Sequence, residues 1–321
     1  MTSPTLSVRV TRKQIEAEDI CTFELVAETG TALPDFSAGS HVDVHLPGGI
    51  TRQYSLCNNP TENHRYLIGV LRDPASRGGS RAMHDAVQEG DCLRISAPKN
   101  HFPLAHEARR HLLLAGGIGI TPILCMAERL ANIGASFEMH YCTRSRERTA
   151  FHQRIVQSGF AATAHFHFDD GPAGQKLDIE QLLATPENAV HLYVCGPRGF
   201  MDAVLGTARA RAWPEPQLHY EFFAADVGVA DSDTNFEVQL ASTGRVVTVP
   251  RDKSALQALA AAGIDLPFAC EQGVCGTCMT RILEGVPEHR DSYLTPEERE
   301  ANDQFTPCCS RARTPRLVLD L

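Results

Sequence analysis

The spacing of apolar positions changes character twice along the chain. Up to about residue 100 they come in short runs, FELVAE, HVDVHLPG, RQYSLCN, RYLIGVLR and DCLRISAP, with turn residues between them. Short runs punctuated by Gly, Pro, Asn and Asp predict antiparallel strands, and this many of them predict a barrel. From residue 111 the pattern lengthens. HLLLAGG, FEMHYCT (137–143), TAHFHF (163–168) and AVHLYVCG (189–196) read as buried strands. PILCMAERLANIG, DIEQLLA and GFMDAVLGTARARA read as helices between or after them. Strands alternating with helices predict a parallel, doubly wound sheet. The alternation returns in FEVQLASTGRVVTVP (236–250), a hairpin with Gly244 at its turn. SALQALAAAG then predicts a helix capped by Ser254 and stopped by Gly263. LTPEERE predicts a short helix with Thr295 as N-cap, Pro296 at its first position and Glu298 completing a capping box.

The fold class expected is therefore multidomain α/β and β. An antiparallel barrel covers 1–104, a doubly wound parallel α/β domain covers 105–226, and a second small β domain covers 234–321. Between the last two, AADVGVADSDTN has small and polar residues with no apolar period, and 227–233 is read as a linker.

Composition narrows the class. Hydrophobic residues make up 43% of the 321 residues and charged ones 21%, with a net charge of −9. An acidic chain argues against nucleic acid or an anionic membrane surface as partner, since both call for a basic face. The first twenty residues carry no apolar run, and no stretch is long enough to span a bilayer. The expectation is a cytoplasmic protein.

Eleven cysteines change the picture. In a reducing compartment clustered cysteines hold metal or do redox chemistry more often than they form disulfides. Three of them, Cys270-x4-Cys275-x2-Cys278, lie in ACEQGVCGTCM, and Cys308 and Cys309 follow in TPCCSR. Soft thiolates suit zinc or iron–sulfur clusters. A tight trio with a distant fourth is the plant-type 2Fe–2S spacing, whereas zinc ribbons show two separated C-x2-C pairs. Gly273 and Gly276 let the loop turn amides toward sulfur. Hairpin, helix, cluster loop and late cysteine together predict a β-grasp domain similar to plant-type ferredoxin. In that likeness the fourth ligand is Cys308, with Cys309 in the apolar slot after it. If the two stand on a strand, they point to opposite faces.

Three further segments carry ligand chemistry. GGIGITP runs from a strand into a helix read as starting at Thr121, with Pro122 at N1, which makes a phosphate site of amides and helix dipole. In RQYSL, Arg52 and Tyr54 share one strand face, beside Ser55, and RGGSRAMHD (77–85) offers a second anion site with Arg81. An arginine that can hold phosphate next to an aromatic that can flank a flat ring points to flavin. Fourteen histidines are present, and none is paired by sequence into a metal site.

RQYSL, GGIGITP and CGP, in this order, resemble the ferredoxin–NADP reductase superfamily. The C-terminal cysteine cluster narrows the resemblance to the phthalate dioxygenase reductase and vanillate O-demethylase reductase family, over essentially the whole chain. These are one-chain reductases of Rieske-type aromatic oxygenase systems. The resemblance implies FMN in the barrel, NADH in the middle domain and a 2Fe–2S cluster in the last. It implies that Arg52, Tyr54 and Ser55 hold the flavin, with Gly69, Val70 and Leu71 beside the ring. Gly79, Ser80 and Arg81 would grip the FMN phosphate, Thr121 would approach the flavin, and Phe223 would pack by it. Gly116, Gly117, Cys142, Thr143, Arg144, Cys195, Gly196 and Pro197 would frame the dinucleotide, with Cys195 at the nicotinamide. Cys270, Cys275, Cys278 and Cys308 would bind iron.

The activity implied is an NADH-dependent flavin iron–sulfur oxidoreductase. Hydride arrives as two electrons and a 2Fe–2S cluster takes one at a time, so a flavin must stand between them. That is a positioning problem, and no general-base triad is expected. The partner implied is a separate Rieske-type oxygenase. A haem-thiolate monooxygenase as acceptor, or a redox sensor without enzymatic turnover, stays open. So does NADPH, because RSRER (144–148) places Arg144, Arg146 and Arg148 where a 2′-phosphate could be met.

Overall fold

The computed structural model describes residues 5–74, 76, 78–223, 232–268 and 270–321. The chain forms two compact units, one through Glu221 and the other from Phe222 onward. Most of the expected linker, 227–231, lies outside the described residues.

The first unit begins with the barrel. Its strands are β1 (Thr5–Ala17), β2 (Ile20–Ala27), β3 (Ser40–Leu46), β4 (Ile50–Ser55), β5 (Tyr66–Leu71), β6 (Cys92–Ser96) and the short β7 (Lys99–Asn100). The order is β4-β3-β6-β1-β2-β5, with β7 paired to β3. An antiparallel bridge between Leu56 and Ile68 joins the two ends of this path and closes the barrel. Inward positions alternate as the pleat requires, and Val8, Val10, Phe23, Leu25, Val42, Val44, Ile68 and Ile95 fill the interior. Helix α1 (Gly79–Asp85) sits between β5 and β6 in the chain. Strand β1, thirteen residues long, was not among the expected elements. Its first half buries only Val8 and Val10 and the rest is half-buried or exposed, so its alternation is faint.

The same unit continues into a five-stranded parallel sheet of order β10-β9-β8-β11-β12. These strands are β8 (Arg110–Gly116), β9 (Ser136–Thr143), β10 (Ala164–Phe168), β11 (Val190–Cys195) and β12 (Leu218–Glu221). The chain builds outward from β8 to β10, then returns to β11 on the other side. The carboxyl ends of β8 and β11 therefore form the switch-point crevice where doubly wound sheets bind ligands. Helix α2 (Ile120–Asn132) packs under the sheet through Ile120, Ile123, Leu124, Ala127 and Leu130, spaced as one helical face. It begins one residue earlier than the Thr121 expected, with Gly119 at the N-cap. The shorter helices are α3 (His152–Val156) and α4 (Ile179–Leu182), and α5 (Arg198–Ala210) follows β11.

The second unit is a β-grasp fold. Strands β13 (Phe236–Leu240), β14 (Val246–Val249), β15 (Thr280–Glu284), β17 (Gln304–Phe305) and β19 (Arg316–Leu319) form one sheet, in the order β14-β13-β19-β15-β17. The central pair, β13 and β19, is parallel although its strands come from opposite ends of the unit. Strands β16 (Pro287–Glu288) and β18 (Arg311–Ala312) pair separately. Helix α6 (Ala255–Ala261) carries a full capping box, Ser254 with Gln257, and the chain leaves it through Gly263 at φ 76°. Helix α7 (Pro296–Ala301) has the Thr295–Glu298 box that its sequence predicts.

Candidate functional site

The cluster loop lies between α6 and β15. From Cys270 to Cys278 its backbone turns through positive φ at Glu271 (54°), Gly273 (68°) and Gly276 (68°). Gly276 has a second constraint. A Cβ there would lie 2.3 Å from Cζ of Tyr293, whose ring covers the loop between Cys275 and Cys278. The amide of Ser292 reaches the Gly273 carbonyl at 2.9 Å and ties the same covering segment to the loop.

Cys270, Cys278 and Cys308 are buried and Cys275 is half-buried. The thiols stand in two hydrogen-bonded pairs, Cys270 with Cys275 and Cys278 with Cys308. Within each pair one sulfur is pulled toward thiolate, Cys275 by Cys270 and Cys278 by Cys308. The amide of Gln272 donates to the Cys270 sulfur at 3.3 Å. Four soft donors, three buried and one half-buried, with a backbone N–H aimed at sulfur, fit a 2Fe–2S cluster. Cys309 Sγ meets the Cys308 thiol and lies 3.1 Å from Thr306 Oγ1. The segment is not the strand expected. Residues 306–309 form a turn in which Cys309 N donates to the Thr306 carbonyl.

In the barrel, β4 places Arg52 against the start of α1. A Cβ at Gly79 would lie 2.5 Å from Arg52 Cγ and 2.8 Å from its Nε, so the guanidinium stem rests on the glycine. Gly78 precedes it at φ 91°. Ser80 Oγ accepts from the Asp73 amide at 3.2 Å, and Arg81 is exposed. This brings together a cation, a hydroxyl and the first amides of a helix. On β5, Val70 points into the barrel core and its carbonyl accepts from His84 Nε2 at 2.9 Å. Only its backbone is left to lie beside a ring. Gly69 faces the parallel sheet: a Cβ there would stand 2.9 Å from the Thr121 methyl and 3.3 Å from Phe151. Leu71 is half-buried.

The crevice of the parallel sheet has a floor of backbone. A Cβ on Gly119 would lie 2.2 Å from the Cys195 carbonyl oxygen, and one on Gly196 would lie 2.9 Å from Gly116 Cα. Gly116 itself is closed in by Pro197 and Phe200. Gly117, by contrast, turns at φ 52° with nothing within 4 Å of the Cβ it lacks. Its side is open to a ligand. Thr121 is buried, its hydroxyl donating to the Ile118 carbonyl at 3.0 Å. Cys195 is fully buried, and burial together with the Glu221 charge holds its thiol well above the ordinary range.

At the end of β9, Thr143 Oγ1 and Thr149 Oγ1 lie 2.7 Å apart and close the loop between them. Cys142 is half-buried, its thiol pushed up to about 12 by burial, with Asp169 adding to the effect. Arg144 and Arg146 are exposed. Arg148 is taken. Its guanidinium meets Glu18 at 2.5 Å and Asp19 at 3.4 Å, on the turn between β1 and β2.

Sequence reasoning missed Glu221. This carboxyl ends β12, accepts a hydrogen bond from Ser55 and lies close enough to Cys195 to raise its thiol pKa. Its Oε2 is buried without a hydrogen-bond partner among the described residues, and burial pushes the carboxyl up to about 7. HYEFF looks like an aromatic edge strand, and nothing local marks its acid. The next two residues, Phe222 and the expected flavin neighbour Phe223, are half-buried and open the second unit.

A family model for the 2Fe-2S iron-sulfur cluster binding domain matches residues 238–313. The chain is 58% identical over 313 residues to a vanillate O-demethylase oxidoreductase of Pseudomonas putida, covering 97% of this chain and 98% of that one. Its fold is similar to the solved structure of phthalate dioxygenase reductase, described as modular for electron transfer from pyridine nucleotides to [2Fe-2S]. The TM-score is 0.80 at 38% identity, over 99% of this chain and 98% of that one. An intact type IV self-sufficient cytochrome P450 monooxygenase matches with the same TM-score, 0.80, and 38% identity, over 99% of this chain but 41% of its own.

Proposed function

The chain belongs to the phthalate dioxygenase reductase and vanillate O-demethylase reductase family, and on that premise we propose that it serves a Rieske-type O-demethylase acting on methoxylated aromatic acids of the vanillate class. It is an NADH-dependent flavin iron–sulfur oxidoreductase that passes electrons to a separate oxygenase. Bound FMN supplies the step from two-electron hydride to single electrons, and the 2Fe–2S cluster carries them onward. The observation that carries the finer reading is end-to-end identity of 58% with a vanillate enzyme's reductase.

The chain's own residues divide the work. Arg52 and the first amides of α1, with Ser80 and Arg81, hold the FMN phosphate, and Gly79 lets Arg52 lie close. Tyr54, Ser55 and the backbone of Gly69 to Leu71 border the ring. Gly116, Gly117, Gly196 and Pro197 shape the dinucleotide cradle, and Cys142, Thr143 and Arg144 border it at the end of β9. Thr121 spaces that cradle from the barrel through its contact at Gly69. Cys195 lines the nicotinamide end as a neutral thiol. Cys270, Cys275, Cys278 and Cys308 bind iron. Residues from 234 onward act as a separable module, in a protein of the cytoplasm.

The test is reconstitution. The purified protein, NADH and a Rieske-type vanillate oxygenase should release formaldehyde from vanillate. A chain ending at Asp226 should still reduce ferricyanide but should not support demethylation. Absence of coupling with full-length protein that reduces dye would refute the partner. The match to a cytochrome P450 monooxygenase favours a second reading, a haem-thiolate acceptor, which the same assay checks by exchange of the oxygenase.

A further inference from the structure

Away from these sites, the outer edge of the parallel sheet holds a stack of histidines. The register of β9 and β10 sets His165 directly beside His140, with His167 two residues on. The His140 ring stacks on both, with centroids 5.0 Å and 5.2 Å away. Glu138, two residues before His140, shares its face.

The hydrogen bonds fix the tautomers. His167 Nδ1 lies 3.0 Å from the Gln175 carbonyl oxygen, which can only accept, so Nδ1 carries the proton. A neutral His167 then presents a lone pair at Nε2. His140 Nδ1 lies 3.0 Å from it and must donate. That leaves His140 Nε2 as a bare lone pair. It is buried, has no hydrogen-bond partner among the described residues, and stands 3.3 Å from Glu138 Oε1. A lone pair facing a carboxylate oxygen is repulsive unless a cation lies between them.

A second imidazole converges on the same oxygen. His165 Nε2 lies 3.2 Å from Glu138 Oε1, and its side chain is 45% exposed, which gives the site an entrance. We propose that Glu138, His140 and His165 form a binding site for a divalent transition-metal ion of the zinc class, with His167 orienting His140. Zinc bonds of about 2.0–2.1 Å place tetrahedral donors roughly 3.3 Å apart, which is the distance of each imidazole nitrogen from the carboxylate oxygen. Two imidazoles and a carboxylate select such an ion over calcium or magnesium. Water would take the fourth position at the open edge. Glu138 Oε2 is held by Arg110 at 2.6 Å, which orients the carboxylate and also lowers the affinity for a second cation. The ion would pin β10, an edge strand, to β9.

Among the described residues no three His, Cys, Asp or Glu are already gathered about one point.

The test uses tag-free holoprotein in a Cys92→Ser background, so that the cluster thiols are filled and the exposed thiol is absent. Calorimetric titration with zinc chloride at pH 7.5 should show one saturable site. His165→Ala should weaken it at least tenfold, while His64→Ala, at an exposed position in the barrel, should not. Zinc should raise the thermal midpoint of the parent and not of His165→Ala. No saturable site in the parent, or equal affinity in His165→Ala, would overturn the assignment.

Discussion

Ser55 donates a hydrogen bond to the carboxyl of Glu221, so the last residue of a barrel strand is joined to the last residue of the parallel sheet's edge strand. On the proposed assignment, the bond crosses the place where flavin and nicotinamide would meet. Burial raises the carboxyl to about 7, against an ordinary value of 4.5. The folded chain therefore holds this proton more tightly than the unfolded chain. Glu221 costs no stability below pH 4.5 and costs progressively more as pH rises toward 7. Glu221→Gln should match the wild type at pH 4.5 and exceed it at pH 7.5 by about 2 kcal/mol, allowing for solvent screening. Urea midpoints at the two pH values measure the difference. A wild type whose advantage grew with pH would refute the assignment. Stopped-flow flavin reduction should also lose its pH dependence near neutrality in the variant.

Cys308→Ser should abolish or strongly alter the visible spectrum of the 2Fe–2S cluster. Cys309→Ser should keep it, because Cys308, not Cys309, is the thiol hydrogen-bonded to Cys278. The opposite pattern would show that the ligand is one residue later.

Gly276→Ala faces two obstacles, a positive φ and a Tyr293 ring 2.3 Å from the new methyl carbon. The backbone alone costs about 1–3 kcal/mol. Iron content per chain should fall severalfold. Adding Tyr293→Ala should restore part of it by removing the clash, but not all, since φ is unchanged. Full iron content in the single variant would show that the loop has room to move.

Arg148→Ala should leave the ratio of kcat/KM for NADH and NADPH within about twofold. The guanidinium is committed to Glu18 and Asp19, so it is not free for a 2′-phosphate. Stability should drop by no more than about 1 kcal/mol, as for a partly exposed ion pair. A large rise in NADH preference on removing Arg148 would mean that it does read the phosphate.

What the sequence made legible follows the range of the interactions. The cluster loop, the Thr295 cap and the turn at Gly244 depend on neighbours a few residues apart, and each stands where its pattern puts it. Glu221 depends on Ser55, from a different fold element, and on burial that the string HYEFF does not reveal. The histidine stack depends on parallel register, which places residues 140 and 165 side by side without any periodic sign. Cys309 was expected to point away from the cluster on strand geometry, and the segment is a turn instead, because an apolar slot after a ligand looks the same in either. Arg148 carried a cation's promise that only its acidic partners, on a distant hairpin turn, take away.

The glycine floor of the parallel-sheet crevice, proposed above as the dinucleotide cradle, limits how this protein can be altered. Gly116, Gly119 and Gly196 bring two strand-end loops into contact without side chains. Such a surface has no rotamers to exchange, and any added methyl group drives the loops apart. Engineering a new coenzyme preference has nothing to work with there. Selection for NADPH, in the laboratory or in nature, would have to act at the rim, on exposed residues such as Arg144, Arg146 and Asp170.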